Sequence, residues 1–244
     1  MLSILAALGV LGGIFASQYY FNPEERDARM CPVSGPSGVD IVVIDKSDEW
    51  NESQKIRLRN AIVDIQSAIE RDRLLEIFVF SDLVEVGFQP MFSNCSPGRG
   101  SETNEFIDNP RMRQQAFDQG FERPLAEILT QLAEPDSGSS SPILEVLSDI
   151  SSRVEYRGID GDRRIVVISD MIQNSEALSL FREEGAAVDI DTVVDSAGGD
   201  IGARFAFDVR QIPGRFSEAQ LANARQFWER WAADQGLDMA WSPF

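Results

Sequence analysis

The chain has 244 residues, of which 43% are hydrophobic, so it can bury one sizeable core and a small appendage. Its formal net charge of −18 and the lack of a basic stripe exclude nucleic acid as the expected partner. The absence of histidine excludes histidine-dependent triads and histidine-ligated zinc, and two cysteines are too few for a thiolate zinc cage.

The first 21 residues form an apolar stretch. Tyr19 and Tyr20 lie near its end, where aromatic side chains are typical of a membrane interface. A spanning helix needs about 20 apolar residues, so residues 2–21 are predicted to anchor the chain in a membrane in a single pass. A cleaved signal peptide is an alternative, although no Lys or Arg precedes the apolar run, and a soluble hydrophobic helix is another.

Residues 22–37 have the composition of a linker. They contain Pro23, Pro32 and Pro36 among mixed charges, which disfavours a core of their own. Basic and acidic side chains balance in this stretch, so charge does not decide the membrane topology. The remaining residues 38–244 are predicted to form one domain.

Two apolar, β-branched runs stand out in that domain. Residues 39–44 end at Asp45, and residues 164–168 end at Ser169 and Asp170. Short continuous runs of this kind are typical of strands that are buried on both faces of a sheet. Since open α/β sheets bind ligands beyond the carboxyl ends of their strands, the two tips are predicted to share a site.

The other elements follow from apolar periodicity and from turn and capping residues. Strands are predicted at 75–81, 84–92, 188–194, 205–212 and 237–241. Helices are predicted at 53–71 with Ser53 as its cap, 111–132 with a break near Gly120 and Pro124, 142–156, 176–183 and 217–235. Strands that alternate with helices indicate an α/β fold with a doubly wound, mostly parallel sheet flanked by helices.

Three predicted loops carry oxygen-bearing side chains to the same sheet edge. Hydroxyls and carboxylates without imidazole or thiolate are the ligands that magnesium, calcium and manganese prefer. Each group alone is an ordinary helix cap or turn, and only their order along the chain favours a joint site. The residues are Asp45, Ser47, Asp48 and Glu49, then Ser139, Ser140 and Ser141, then Ser169 and Asp170.

This order resembles the von Willebrand factor A (vWA) domain and its metal-ion-dependent adhesion site, in its bacterial membrane-anchored form. The family has Asp-x-Ser-x-Ser after the first strand, a Thr in a middle loop and an Asp after the fourth strand. Asp45 and Ser47 match the first two positions, Ser141 (or Ser140) stands for the Thr, and Asp170 matches the last Asp. The resemblance covers residues 38–244 and implies Mg²⁺, or else Mn²⁺ or Ca²⁺.

Two positions depart from the family pattern. Glu49 stands at the third position of the first motif, where the family has Ser, and Met171 follows Asp170 where the family usually has Gly. A directly bound Glu49 would occupy the coordination position that family members offer to a partner's carboxylate. The predicted ligand set is therefore Asp45, Ser47, Glu49, Ser141 and Asp170, with a metal-free scaffold as the alternative.

The resemblance also bears on Cys31 and Cys95. It implies a sheet order of 3-2-1-4-5-6 with an antiparallel third strand at one edge. That order brings the end of the third strand, near Cys95, to the side on which the first strand begins, near Cys31. A disulfide there implies an oxidising compartment, with the domain in the periplasm; two free thiols in the cytosol are the alternative.

The resemblance implies a protein-recognition module rather than an enzyme. We expect it to sit in the inner (cytoplasmic) membrane and to bind a partner protein of an envelope assembly at the strand tips, without nucleic acid. A purely structural component is one alternative. A magnesium-dependent phosphatase of the haloacid-dehalogenase type is another, but it needs a second Asp where Ser47 stands and a lysine in a middle loop.

Overall fold

The structure is a computed structural model that describes residues 25–82, 88–102, 109–132, 138–180, 205–212 and 215–244. The predicted anchor at 2–21 and the predicted strand at 188–194 lie outside these residues. Within the described ranges, no helix combines the length and the apolar character that crossing a bilayer requires.

The two apolar runs are the central strands, as predicted. β1 (Val39–Asp45) is buried along its whole length, and its residues pair in parallel with β4 (Arg163–Ser169). Ile44 lies beside Ile168, so Asp45 and the residues after β4 emerge at the same edge. The expected strand tips are therefore adjacent in space.

The remaining described strands are β2 (Leu74–Phe80), β3 (Phe92–Cys95), β5 (Ala206–Gln211) and β6 (Asp238–Ser242). With β1 and β4 they form one six-stranded sheet in the order β3-β2-β1-β4-β5-β6. All neighbours pair in parallel except β3, which lies antiparallel at the edge next to β2. This is the order that the resemblance implied.

Over its described part, the predicted third strand differs from the structure. The sequence predicted a strand over 84–92, of which 84–87 lie outside the described residues; β3 covers Phe92–Cys95, and residues 88–91 are not in a strand. Pro90 has no backbone N–H for a ladder, which disfavours pairing there. Phe92 packs edge-on against Phe121, with ring centroids 5.4 Å apart.

Helices cover both faces of the sheet with two apolar clusters between them and the strands. The helices are α1 (Glu52–Ala68), α2 (Pro110–Phe117), α3 (Arg123–Leu132), α4 (Ile143–Ser152) and α5 (Glu218–Asp234). One cluster lies under α1, α2 and α3, and the other lies under α4 and α5. A π-helical turn, Asp118–Glu122, joins α2 to α3 at Gly120, near the predicted break.

Two helix predictions need correction. Asn51, not Ser53, caps α1: its side chain accepts from the Gln54 N–H (3.0 Å), and the Gln54 side chain accepts from the Asn51 N–H (2.7 Å). The predicted helix at 176–183 is not helical over its described part, 176–180. There the Leu180 N–H donates to the Gln173 carbonyl (2.9 Å), which closes a compact loop instead.

The described part of the predicted linker is fastened to the domain. Cys31 forms a disulfide with Cys95 at the end of β3, as the resemblance implied, and is 2% exposed. The Cys95 N–H also donates to the Arg29 carbonyl (2.8 Å), and Arg26 forms an ion pair with Asp72. This segment therefore lies along the edge strand, where the parallel strands begin.

Candidate functional site

Asp45 organises the candidate site from the tip of β1. Its Oδ1 accepts from the Ser47 N–H (2.9 Å), and its Oδ2 accepts from the hydroxyls of Ser141 and Ser169 (2.8 Å each). The donors lie in the loop after β1, in the loop before residue 143 and at the end of β4. Three segments that are remote in sequence are thus joined through one carboxylate that is 4% exposed.

The middle loop presents Ser141 and not Ser140. Backbone hydrogen bonds in both directions with Asn174 hold Ser141 in place (2.7 and 2.8 Å). The hydroxyl of Ser140 points elsewhere and donates to Asp82 (2.6 Å). Of the two alternatives for the family's Thr, Ser141 is therefore the one whose hydroxyl contacts Asp45.

The loop after β4 places Asp170 beside this pair. Asp170 Oδ1 accepts from the Ile172 N–H (2.8 Å), and its side chain is nine-tenths buried. Met171 has a φ of 65°, the left-handed region that glycine enters without steric cost. The buried Trp228 indole donates to the Met171 carbonyl (2.8 Å) and holds this conformation. Met171, which stands where the vWA pattern has Gly, therefore takes a backbone conformation that is typical of glycine.

The tips enclose an open cleft of about 620 Å³. Of the predicted ligand set, Asp45, Ser47, Glu49 and Asp170 line it, with Glu49 exposed, whereas Ser141 does not line it. Trp50 also lines the cleft and packs edge-on against Phe244, with ring centroids 6.2 Å apart. The other lining residues are Asp48, Asn51, Gln54, Gly138, Ile212 and Arg215.

The cleft carries an excess of negative charge. Burial, with the facing Asp45 and Asp48 carboxylates, raises the pKa of Asp170 to about 8. Burial also raises the pKa of Asp48, which Arg215 opposes at 2.9 Å from Asp48 Oδ1. Asp48 Oδ2 is buried and has no donor among the described residues, so this oxygen can still accept a hydrogen bond.

Sequence reasoning named Asp48 only as part of a cluster and missed Arg215. Arg215 follows β5, and its side chain is 67% exposed while its guanidinium reaches back to Asp48. The signal available was its place after a predicted strand, since loops that follow parallel strands meet at one edge. The type of residue alone gave no reason to select it.

A hard divalent cation fits the chemistry of this donor set. The oxygen atoms of Asp45, Ser47, Ser141 and Asp170 gather from three loops, and the partnerless oxygen of Asp48 lies with them. No three His, Cys, Asp or Glu side chains of the described ranges form a metal cage by themselves. Any cation here would thus depend on hydroxyl or water oxygens as well as on carboxylates.

Comparisons with known proteins add little to this geometry. No protein-family profile matches the chain, and no curated protein matches it. Among solved structures, it is similar to an aerotolerance-related membrane protein from Bacteroides fragilis NCTC 9343 that carries multiple mutations to serine, at 12% identity. The match covers 84% of this chain and 90% of that one, with a TM-score of 0.36, at which the likeness carries no argument.

Proposed function

We propose that the chain is a vWA-like recognition module that binds a partner protein at the carboxyl edge of its sheet through a divalent cation. The proposal includes an anchor at residues 2–21 in the inner membrane and a periplasmic domain within an envelope assembly. The observation that carries it is that Asp45, Ser47 and Asp170 line one cleft, while the Ser141 hydroxyl donates to Asp45 Oδ2 at 2.8 Å.

The residues present would hold a cation as follows. Asp45 and Asp170 would supply carboxyl oxygens, and the hydroxyls of Ser47 and Ser141 would supply neutral oxygens from neighbouring loops. Ser169 lies behind Asp45 and fixes the orientation of its carboxylate. A bound cation would supply a Lewis-acidic point for a carboxylate of the partner.

The disulfide supports the proposed compartment. Cys31 and Cys95 are bonded in the structure, and structural disulfides persist in oxidising compartments such as the periplasm. The described residues contain no free cysteine. A domain held by this bond is suited to work outside the cytosol.

The first experiment measures thermal stability of the full chain in detergent with EDTA, then with Mg²⁺ or Mn²⁺. We expect the ions to raise the melting temperature, because they bind the folded state. Asp45→Ala and Asp170→Ala should abolish the response, whereas Glu122→Ala, outside the site, should keep it. A wild-type protein that responds to neither ion would contradict the metal part of the proposal.

The second experiment is a pull-down from detergent-solubilised membranes. Wild type and Asp45→Ala are compared with and without EDTA. A partner that is captured by wild type, and lost with the variant or the chelator, supports recognition through the cation. Equal capture under all conditions would place the contact elsewhere on the domain.

A metal-free recognition or structural module is the second candidate, and one observation favours it. Asp45 already accepts three hydrogen bonds from the Ser47 amide and the Ser141 and Ser169 hydroxyls. This carboxylate is therefore satisfied without a cation, which is what a degenerate site needs. The melting experiment separates the two candidates directly.

A further inference from the structure

The side chain of Gln173 is a buried polar group that lies outside the ligand set proposed above. It follows Asp170 by three residues in the loop after β4, and it is 0% exposed. Its Oε1 accepts from the Leu144 N–H (2.9 Å), and its Nε2 donates to the Glu145 carboxylate (2.9 Å) and to the Ser175 hydroxyl (3.1 Å). One amide thus joins the loop after β4 to the first turn of α4.

The start of α4 needs this contact because its own N-cap lacks a side-chain acceptor. The first amides of a helix have no partner within the helix, and a Ser, Thr, Asp or Asn at the N-cap usually accepts from one of them. Pro142 holds the N-cap position of α4 and makes no such hydrogen bond. Gln173 supplies the missing acceptor to Leu144, the second residue of the helix, from a different loop.

The residue after Gln173 holds the same loop one step further back. Asn174 exchanges backbone hydrogen bonds with Ser141 in both directions, at 2.7 and 2.8 Å. The Ser141 hydroxyl then donates to Asp45 Oδ2 at 2.8 Å. Because Ser141 comes directly before the N-cap of α4, a shift of the helix start would move the Ser141 hydroxyl relative to Asp45.

We propose that Gln173 is a positioning residue of the candidate site. It caps α4 from the neighbouring loop, and it thereby keeps the Ser141 hydroxyl where a cation would take it as a ligand. This inference rests on the proposed function, because the site that Gln173 supports is the proposed cation site. Gln173 acts through Ser141 and not as a ligand, as hydrogen-bond partners behind metal ligands do.

The test is the affinity of the full chain in detergent for Mn²⁺, measured by calorimetry. Gln173→Leu removes the cap and should weaken binding about tenfold or more, as loss of a group that orients a ligand does. Tyr156→Phe is the matched control, because it removes a buried hydrogen bond to Glu76, and neither residue lines the cleft. It should lower the melting temperature and leave the affinity within about twofold of wild type, since distant sites act independently.

An exchange of charge separates positioning from a general loss of stability. Gln173→Glu keeps the acceptor for Leu144 but sets a second carboxylate against Glu145, so binding should weaken about tenfold. Adding Glu145→Gln restores a donor to that contact and the wild-type net charge, and should return the affinity to within about threefold of wild type. Hydrogen exchange of the Leu144 amide in EDTA should be faster in Gln173→Leu and close to wild type in the double variant.

The outcomes separate this inference from the proposed function. Equal Mn²⁺ affinity in wild type and Gln173→Leu, with faster exchange at Leu144, would overturn the inference, make Gln173 a helix cap only and preserve the cation site. A wild type that binds no Mn²⁺ would overturn both. If Gln173→Leu fails to melt cooperatively, the exchange of charge decides: equal affinity in Gln173→Glu and in the double variant refutes the inference.

Discussion

Each end of β1 carries a buried Asp, and the two carboxylates have different kinds of partner. At the amino end, Asp40 receives the Arg73 guanidinium at 2.7 Å and the Arg164 guanidinium at 2.8 Å. At the carboxyl end, Asp45 receives hydroxyls and an amide, and other carboxylates face it. Guanidinium groups neutralise the charge of Asp40 at the amino end, whereas Asp45 at the carboxyl end is bound by neutral donors.

The comparison separates a carboxylate that is paired with guanidinium groups from one that is held by hydroxyls and an amide. Guanidinium groups from the loop before β2 and from β4 close on Asp40, and Gly38 leaves the space that Arg73 occupies. This arrangement ties neighbouring strands together. At the carboxyl end, burial and neighbouring carboxylates raise the pKa of Asp170, a condition that is typical of functional sites.

The largest effect should come from the disulfide at the amino end. The bond joins residues separated by 64 positions, and closing such a loop stabilises by about 4 kcal/mol in the chain-entropy treatment. We expect the double variant Cys31→Ser/Cys95→Ser to lose stability on that scale in urea denaturation. Reduced wild type is the matched control and should behave like the double variant. A loss below about 1 kcal/mol would show that the other contacts of residues 25–37 suffice.

Asp40→Ala should have the next largest effect. Removing this carboxylate leaves Arg73, whose side chain is 14% exposed, without its ion pair. We expect a loss of about 3 kcal/mol, the low end for a broken buried pair, because Arg164 is 38% exposed and regains water. Urea denaturation at neutral pH measures it. Asp160→Ala, at an exposed position nearby, should change stability little, and equal effects of both variants would refute the distinction.

A third prediction concerns the pH dependence of stability in Asp170→Asn, measured in EDTA. The pKa of Asp170 is about 8 in the folded protein, well above the ordinary value of an aspartate, so the folded state holds this proton more tightly. Its contribution to stability is therefore complete at acid pH and is lost as the pH rises toward about 8. Asn carries no such proton, so the variant should show less decline between about pH 5 and pH 8 in urea. An identical pH profile would contradict the comparison of the two ends.

The sequence predicted secondary structure best in the continuous apolar segments. Uninterrupted β-branched runs identified β1 and β4, and parallel pairing then brought Asp45 and Asp170 to one edge. The sequence could not predict which acidic side chain after β1 is the more buried, because Asp48 and Glu49 are adjacent residues of one turn. The contact of Arg215 with Asp48 was not predictable either, because it depends on the conformation of the loop after β5. The hydrophobic pattern determines which strand ends lie together, and the geometry of the turns determines which side-chain atoms come into contact.

The disulfide also determines how the domain receives mechanical load. Traction that enters through the segment before Cys31 passes covalently to Cys95, at the end of the edge strand β3. It reaches the antiparallel ladder of β3 and β2 before it reaches the strand that bears Asp45. A force applied to that segment would therefore load the ladder of β3 and β2 before it loads β1.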